Sequence, residues 1–340
     1  MNVTQRIEKI IGERIQNGIY RNGEKLPSLR QLTRELGASY VMVSRAMNNL
    51  KQRNMVISRP GAGYWVQLET AVPFIPRDRL IYFVFSNPEN NPPNEYLVEL
   101  YSYVQADLRR RGYWDQAIKF DDEEVYNAPL PAGVILTDNS PLSSFFAQKN
   151  VPFIFCSNEP AEQNFSSVHP DYYSGSFRIT EHLIRKGVKD IVFVNCHQQD
   201  NKNSFIAREE GYQAAMRQNN LPIPPGYTWH ITQAADALRE RLRTSPPEAL
   251  FVANDVMAIE IMQMAQAMGL KVPQDILFAG LENMLCSRIS NPPLTSAMYD
   301  KRELAATATQ ILIDQITGKE RNIIKKEIPM KLVIRQSTEI

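Results

Sequence analysis

The chain has 340 residues, 43% hydrophobic and 22% charged, the make-up of a soluble globular protein of two or three domains; no apolar run approaches the roughly 20 residues that span a bilayer. Its net charge of +1 hides an asymmetry, for residues 1–69 carry 11 Lys/Arg against 5 Asp/Glu and residues 70–340 carry 27 against 32. A basic head on a mildly acidic body suits DNA rather than a membrane, and three scattered cysteines, Cys156, Cys196 and Cys286, exclude a disulfide framework or a metal-ligand spacing.

The first residues, Met1 to Arg6, lack the apolar core of a secretory signal, which sets the expected location in the cytoplasm. Ile7, Ile10, Ile11 and Ile15 recur at helical spacing, with Gly18 as a stop. Ser28 can cap a second helix, Gln31 completes a capping box, Leu29, Leu32 and Leu36 share a face, and Gly37 ends it. A third helix, capped by Ser39, places Val43, Ala46, Met47 and Leu50 on its inner side. Two β-prone runs, Met55–Ser58 and Tyr64–Leu68, then flank Arg59-Pro60-Gly61-Ala62-Gly63, a hairpin tip. Three helices and a two-stranded wing make a winged helix-turn-helix over residues 1–69. Its third helix can enter a major groove with Tyr40, Ser44, Arg45 and Asn48 outward; Arg45 suits guanine and Asn48 adenine. Ser28, Arg30 and the helix start at Ser39 can hold phosphates, and Arg59, Gly61 and Gly63 can approach the neighbouring groove. The competing reading is a small helical domain with ordinary solvated charges.

The run Tyr20-Arg21-Asn22-Gly23-Glu24-Lys25-Leu26-Pro27-Ser28-Leu29-Arg30-Gln31-Leu32, with Gly61-Ala62-Gly63-Tyr64-Trp65-Val66 after it, resembles the GntR family of DNA-binding domains over about residues 4–68. The resemblance implies a homodimer on a pseudo-palindromic double-stranded operator, touched by Arg30, the start of the third helix and the wing. Tyr40 and Ser44 stand where many members carry arginine, and Met42 where threonine is usual, so the operator sequence is not transferable.

Residues 70–79, with Pro73 and Pro76, read as a linker, and residues 80–340 as an α/β body. Leu80–Phe85, Gly133–Leu136, Pro152–Cys156, Ile191–Asn195, Ala249–Ala253 and Ile276–Gly280 are apolar strands. Helices alternate with them: Leu97, Leu100, Tyr101, Val104 and Leu108 line one that stops at Gly112, and Tyr172–Lys186, Ser204–Asn219 and Val256–Met268 are others. Such runs predict parallel sheets covered on both faces, and about ten strands predict two lobes. Ligands of these folds bind beyond the carboxyl ends of strands, where Thr137, Asp138, Ser157, Asn158, Asn254, Asp255, Leu281, Glu282 and Asn283 fall. Polar groups there suit a polyhydroxylated ligand; taken singly, Asn and Asp after strands more often cap helices.

The segments Val168-His169-Pro170-Asp171, Glu181–Gly187, Arg208–Tyr212, Ala253-Asn254-Asp255-Val256-Met257-Ala258, Val272–Ile276 and Pro293-Leu294-Thr295-Ser296 resemble the effector domain of the LacI/GalR family, itself periplasmic-binding-protein-like, over about residues 80–338. That resemblance implies ligand contacts at Arg208, Asn254 and Glu282, and at Asn91 if the loop Ser86–Asn94 carries a small insertion. Leu281 replaces the usual aromatic and Glu282 the usual aspartate. Head and body together resemble the arabinose-repressor type, which implies a repressor, dimeric and controlled by a small effector, with a carbohydrate expected.

The four histidines have no metal spacing, and His182 on its helix reads as structural. Cys196 and His197 are adjacent on a strand, hence on opposite faces, and make no nucleophile pair. Trp229 and His230 end another strand, where Trp229 can stack on a sugar or pack in the core. No P-loop, dinucleotide fingerprint or nucleophile elbow occurs, so the expectation is no enzyme, no catalytic residues, no metal and no cofactor. An aminotransferase-like body would need several hundred residues where about 270 follow the head. The remaining alternative is a sugar-binding protein without a regulatory role.

Overall fold

Residues Met1–Pro76 and Arg77–Ile340 form two separate units. The computed structural model describes residues 3–16, 19–52, 55–59, 63–67, 77–85, 95–119, 122–138, 140–160, 164–195, 203–223 and 228–339. The expected linker residues 70–76, the loop with Asn91, the wing-tip residues Pro60, Gly61 and Ala62, and the Cys196-His197 pair lie outside them.

In the first unit α1 (Val3–Gln16), α2 (Leu29–Leu36) and α3 (Tyr40–Gln52) precede an antiparallel hairpin of β1 (Val56–Arg59) and β2 (Gly63–Val66). Ile7, Ile11 and Ile15 of α1 meet Leu32 of α2, Val43, Met47 and Leu50 of α3, and Val56 and Val66 of the hairpin in one buried cluster. The helical spacing turns Ile7, Ile11 and Ile15 to the core while Ile10 is half-buried outside the cluster, and on α2 only Leu32 is fully enclosed while Leu29 and Leu36 are half-buried. The expected capping box is formed: the Ser28 N–H donates to Gln31 Oε1 at 2.8 Å, and Gln31 N–H donates to Ser28 Oγ at 3.3 Å. Gly37, at φ 58°, ends α2 in the left-handed region. Residues 23–26 fasten the hairpin back to the helices, since Gly23 N–H donates to Val66 O and Leu26 N–H to Tyr64 O, both at 2.9 Å.

The second unit begins with a 3₁₀ turn at Arg77–Arg79, which takes the last three residues of the expected linker into the body. Its first lobe runs β3 (Leu80–Phe85), α4 (Glu95–Arg110), β4 (Trp114–Lys119), β5 (Gly133–Leu136), α5 (Pro141–Gln148), β6 (Phe153–Cys156) and β7 (Ser167–Pro170). The chain then crosses to a second lobe of α6 (Tyr172–Arg185), β8 (Ile191–Asn195), α7 (Asn203–Gln218), β9 (Thr228–His230), α8 (Ile231–Thr244), β10 (Ala249–Val252), α9 (Asp255–Ala267), β11 (Leu277–Ala279) and α10 (Leu285–Ile289). After β12 (Ser296–Met298) it returns to the first lobe for α11 (Lys301–Ile316) and β13 (Lys325–Ile328), and crosses once more to β14 (Lys331–Val333), the antiparallel partner of β12.

All strands of the two main sheets are parallel, in the orders β13-β7-β6-β5-β3-β4 and β11-β10-β8-β9. Their central strands, Gly-Val-Ile-Leu in β5 and Ala-Leu-Phe-Val in β10, are buried at every position, because helices cover both faces. One buried cluster joins the lobes, running from Ile81, Phe83 and Ile135 to Phe193, Phe251 and Leu277. The helices α6 and α7 meet closely at Gly211, where a Cβ would stand 2.2 Å from the Tyr173 carbonyl oxygen. Only glycine fits that approach.

Candidate functional site

On the head, the first turn of α3 projects Tyr40, Val41 and Met42 outward, and Arg45 and Asn48 follow on the same exposed side; Ser44 is half-buried. Ser39 Oγ accepts the Met42 N–H at 3.4 Å, so its hydroxyl holds the helix start. Ser28 is committed likewise, its hydroxyl donating to Gln31 Oε1 at 2.8 Å; what it leaves for an anion is the helix terminus it shapes, beside exposed Arg30. Asn48 Oδ1 accepts the Tyr64 hydroxyl at 3.1 Å, a bond that ties α3 to the wing. Arg59 folds over the Trp65 ring, its guanidinium carbon 4.5 Å from the centroid, and Gly63 sits at φ 92° where the second wing strand starts. The sequence reading passed over Val41, which is 72% exposed although apolar. Its signal was an apolar residue outside the inward spacing of Val43, Ala46, Met47 and Leu50.

In the body, residues from both lobes and from the second crossing meet at the carboxyl ends of the strands. Arg208, on α7, is buried; its Nη1 donates to Ala253 O at 2.6 Å and its Nη2 to Glu282 Oε1 at 2.7 Å. The rings of Tyr172 and Phe205 lie against the guanidinium, 4.0 Å and 4.7 Å from its carbon. Fixed charge, fork and flanking rings hold this arginine in one pose. From the first lobe, Ser157 Oγ shares a hydrogen bond with the Tyr96 hydroxyl at 2.5 Å, and the Tyr299 hydroxyl of the second crossing donates to Tyr96, also at 2.5 Å. Burial pushes Tyr96 and Tyr299 well above the usual phenol range and Tyr172 to about 12, although Arg208 works in the other direction on Tyr172. All three therefore stay protonated at neutral pH, with the Tyr299 hydroxyl donating to Tyr96. Ser157, Glu282 and Asn283 have positive φ, at 95°, 98° and 51°, so backbone strain gathers at this cluster.

Other expected residues stand nearby in scaffolding roles. Thr137 Oγ1 donates to Val84 O at 3.0 Å, and Asn158 Nδ2 donates to Thr137 O at 2.9 Å, binding two strand ends together. Asn254 Oδ1 accepts the Met257 N–H at 2.9 Å and so caps α9, the commoner use of an asparagine after a strand. Asp255 is enclosed; its carboxylate accepts the Met284 N–H and the Ser296 hydroxyl, both at 2.7 Å, and burial pushes its pKa up to about 7. Asn283 accepts from Arg335, and Leu281 is fully buried. His182 pairs its Nε2 with the Thr338 hydroxyl at 2.9 Å, in keeping with a structural role. Trp229 and His230 belong to β9, while Asn91 is outside the described residues.

A cavity of about 510 Å³ opens beside Glu282, between α4, α10 and the second crossing, with Tyr103, Tyr299, Lys301 and Arg288 among its walls. Among the described residues, no group of three His, Cys, Asp or Glu side chains is placed to hold a metal ion, and no helix is long and apolar enough to cross a membrane. The aromatic members of the site, Tyr96, Tyr172, Phe205 and Tyr299, were not picked out from the sequence. Each sits in the first turn of a helix or beside one, where an aromatic residue reads as core.

Residues 3–66 match the model of bacterial regulatory proteins of the gntR family, and residues 180–338 match the periplasmic binding protein-like domain. The chain is 31% identical over 268 residues to an HTH-type transcriptional repressor PurR of Haemophilus influenzae, covering 72% of this chain and 78% of that protein. It is also 31% identical over 210 residues to the PurR repressor of Histophilus somni, covering 60% of this chain and 62% of that relative's length. Among solved structures, a transcriptional regulator CelR in complex with cellobiose superposes with a TM-score of 0.69 at 19% identity, covering 92% of this chain and 100% of that one. A LacI-family regulatory protein from Chloroflexus aggregans gives 0.68 at 22% identity, covering 77% and 99%. At these identities the structural likeness establishes the fold.

Proposed function

Because the chain belongs to the family of LacI-type HTH transcriptional repressors, as a member with a gntR-family head, we propose that it is a sequence-specific DNA-binding repressor controlled by a small polar effector. The observation that carries this reading is the cluster of Arg208, Glu282, Tyr172, Ser157, Tyr96 and Tyr299, drawn from both lobes and a crossing, in a chain whose head is a winged helix. Protonated tyrosine hydroxyls and a neutralised Arg–Glu fork offer donors and acceptors without net charge, which suits the hydroxyls of a carbohydrate. Cellobiose in the CelR structure is consistent with that class. The relatives are regulators, and an enzymatic role has no support from the site.

In this reading α3 lies in the major groove, with Arg45 on a guanine, Val41 and Tyr40 on apolar edges, and Arg30 and the starts of α2 and α3 on phosphates. Gly63 and Arg59 bring the wing to the adjacent groove. Two copies bind a pseudo-palindromic operator in the cytoplasm. The exposed apolar side chains of Val256, Leu285 and Ile289, on the packed helices α9 and α10, support pairing of two bodies. Effector at the cluster shifts the lobes and thereby DNA affinity, with a coupling of about 1–3 kcal/mol, a change of about 5- to 150-fold.

The test is selection of operators from a random duplex pool by the full chain, followed by anisotropy titrations with mono- and disaccharides. Expected are a steep salt dependence and a sugar-dependent change in affinity that Arg208→Ala removes while DNA binding persists. Failure to bind any duplex at modest salt refutes the repressor and leaves the sugar-binding alternative; binding that ignores every sugar refutes the effector class.

A further inference from the structure

A second concavity lies on the far side of α6 from the Arg208 cluster, between that helix and strand β14. It encloses about 630 Å³, within the range of small-molecule sites, with Tyr173, Phe177, Arg178 and Glu181 on the helix side and Leu332 and Ile334 on the strand side. Its floor is apolar: the Tyr173 and Phe177 rings stack at 6.5 Å and 20°, Leu332 is half-buried, and Ile334 is exposed. Its charge is unequal. Glu181 is spent, one carboxylate oxygen accepting from Arg185 at 2.9 Å and the other from Asn219 at 2.6 Å. Arg178 is exposed and, among the described residues, has no hydrogen-bonded or ionic partner. A hydrophobic trough with one uncompensated guanidinium at its rim calls for a molecule with an apolar body and a single anionic group.

We propose that this groove binds a small amphipathic anion, an aryl or alkyl carboxylate, at a site distinct from the effector cluster. Its position gives the ligand leverage on the lobes. Tyr173 and Ser174 form the first turn of α6 directly after the first crossing, and Ser174 N–H donates to Asp171 Oδ1 at 2.9 Å. Leu332 and Ile334 follow the third crossing. β14 pairs with β12, Leu332 opposite Ala297, and β12 leads into the second crossing at Tyr299. A body wedged between α6 and β14 therefore bears on all the connections between the lobes, and the neighbour of Tyr173, Tyr172, rests on Arg208. This site stands on the groove alone and holds whether or not the cluster takes a sugar.

The experiment uses the full chain without sugar or DNA. 4-Phenylbutyrate and octanoate, with their uncharged amides as controls, are titrated by calorimetry against the unaltered protein, Arg178→Gln and Ile334→Asp; both positions are solvent-exposed, so both variants should fold. Saturable carboxylate binding is expected, weakened about tenfold in the amides and in Arg178→Gln, the loss of one charge-assisted contact, and lost in Ile334→Asp. Hydrogen exchange should slow at residues 172–174 and 331–334 on binding. No saturable binding of either carboxylate, or binding indifferent to both substitutions, overturns the site; binding without slowed exchange in those segments overturns its hold on the crossings.

Discussion

The Arg208–Glu282 pair lends itself to a quantitative test through Glu282→Gln, which keeps the side-chain shape and removes its charge. The Arg208 side chain is 4% exposed and that of Glu282 14%, so solvent screens the pair weakly. With charge centres about 4 Å apart and an effective dielectric near 20, the attraction is about 4 kcal/mol. Glutamine still offers an oxygen to Nη2, and the Ala253 carbonyl and the two rings stay in place, so part of the loss is recovered. A net cost of about 3 kcal/mol follows, the low end of what breaking a buried pair from one side entails. In a unit of this size 1 kcal/mol lowers Tm by about 2–4 °C, which places the drop near 6–12 °C. Differential scanning calorimetry of both proteins at pH 7 and two salt concentrations reads it. The double substitution Arg208→Met with Glu282→Leu should regain most of the loss, because no charge is then buried alone. A drop below about 2 °C, or a double variant no better than the single one, would refute the picture of a dry, mutually dependent pair.

Asp255 should make the body less stable as pH rises. Its folded pKa, pushed up to about 7 by burial, stands above the unfolded value near 3.8, so the native state holds the proton longer; its contribution is full below pH 4 and is lost through pH 7, in total about 4 kcal/mol. Urea midpoints of Asp255→Asn and the unaltered protein, compared from pH 4 to 8, should diverge over that window, and parallel curves would contradict the assignment. Gly211→Ala should cost at least about 2–3 kcal/mol, since the new methyl meets the Tyr173 carbonyl and Ser176 across the tight α6–α7 contact; thermal unfolding measures it, and an unchanged Tm would mean the helices separate freely. Ser28→Ala should remove the capping box and about 1 kcal/mol from the head alone, read as a lower melting point of the first calorimetric transition.

The sequence was most informative where one physical demand dominated. Strands buried on both faces, such as Ile191–Asn195 and Gly133–Leu136, are apolar, the former up to a closing Asn195, and were legible to the residue, as was the Ser28–Gln31 box. The edge strands of the first-lobe sheet were not. β4 reads Trp-Asp-Gln-Ala-Ile-Lys and β13 Lys-Lys-Glu-Ile, with most positions exposed, because one side of an edge strand has no neighbour to exclude water. The short β7, Ser-Val-His-Pro, is fully buried yet half polar, and its burial comes from flanking strands that local patterning does not encode. The same limit applies to the site. Arg208 was singled out through a family resemblance and Glu282 also by its place after a strand, but their pairing bridges 74 positions of sequence. Tyr96 and Tyr299 are 203 positions apart and meet only because the chain crosses between lobes.

That crossing pattern explains why the cluster is suited to switching. Arg208 already holds Ala253 and Glu282, and Tyr96 already holds Ser157 and Tyr299. Under the proposed function, a ligand entering the cluster exchanges its own hydroxyls for contacts already made within each lobe and, at Tyr96–Tyr299, between the first lobe and the second crossing, so its gross hydrogen-bond energy largely cancels. What survives is the difference between the two arrangements, and only that difference moves an equilibrium. A ligand with equal affinity for both arrangements would bind tightly and shift nothing. Under that proposal, replacing the Tyr96–Tyr299 contact, which joins α4 of the first lobe to the second crossing, is expected to loosen the lobes at one of their joins. In the proposed reading the tyrosines link occupancy to lobe geometry, and Arg208 and Glu282, both from the second lobe, supply affinity.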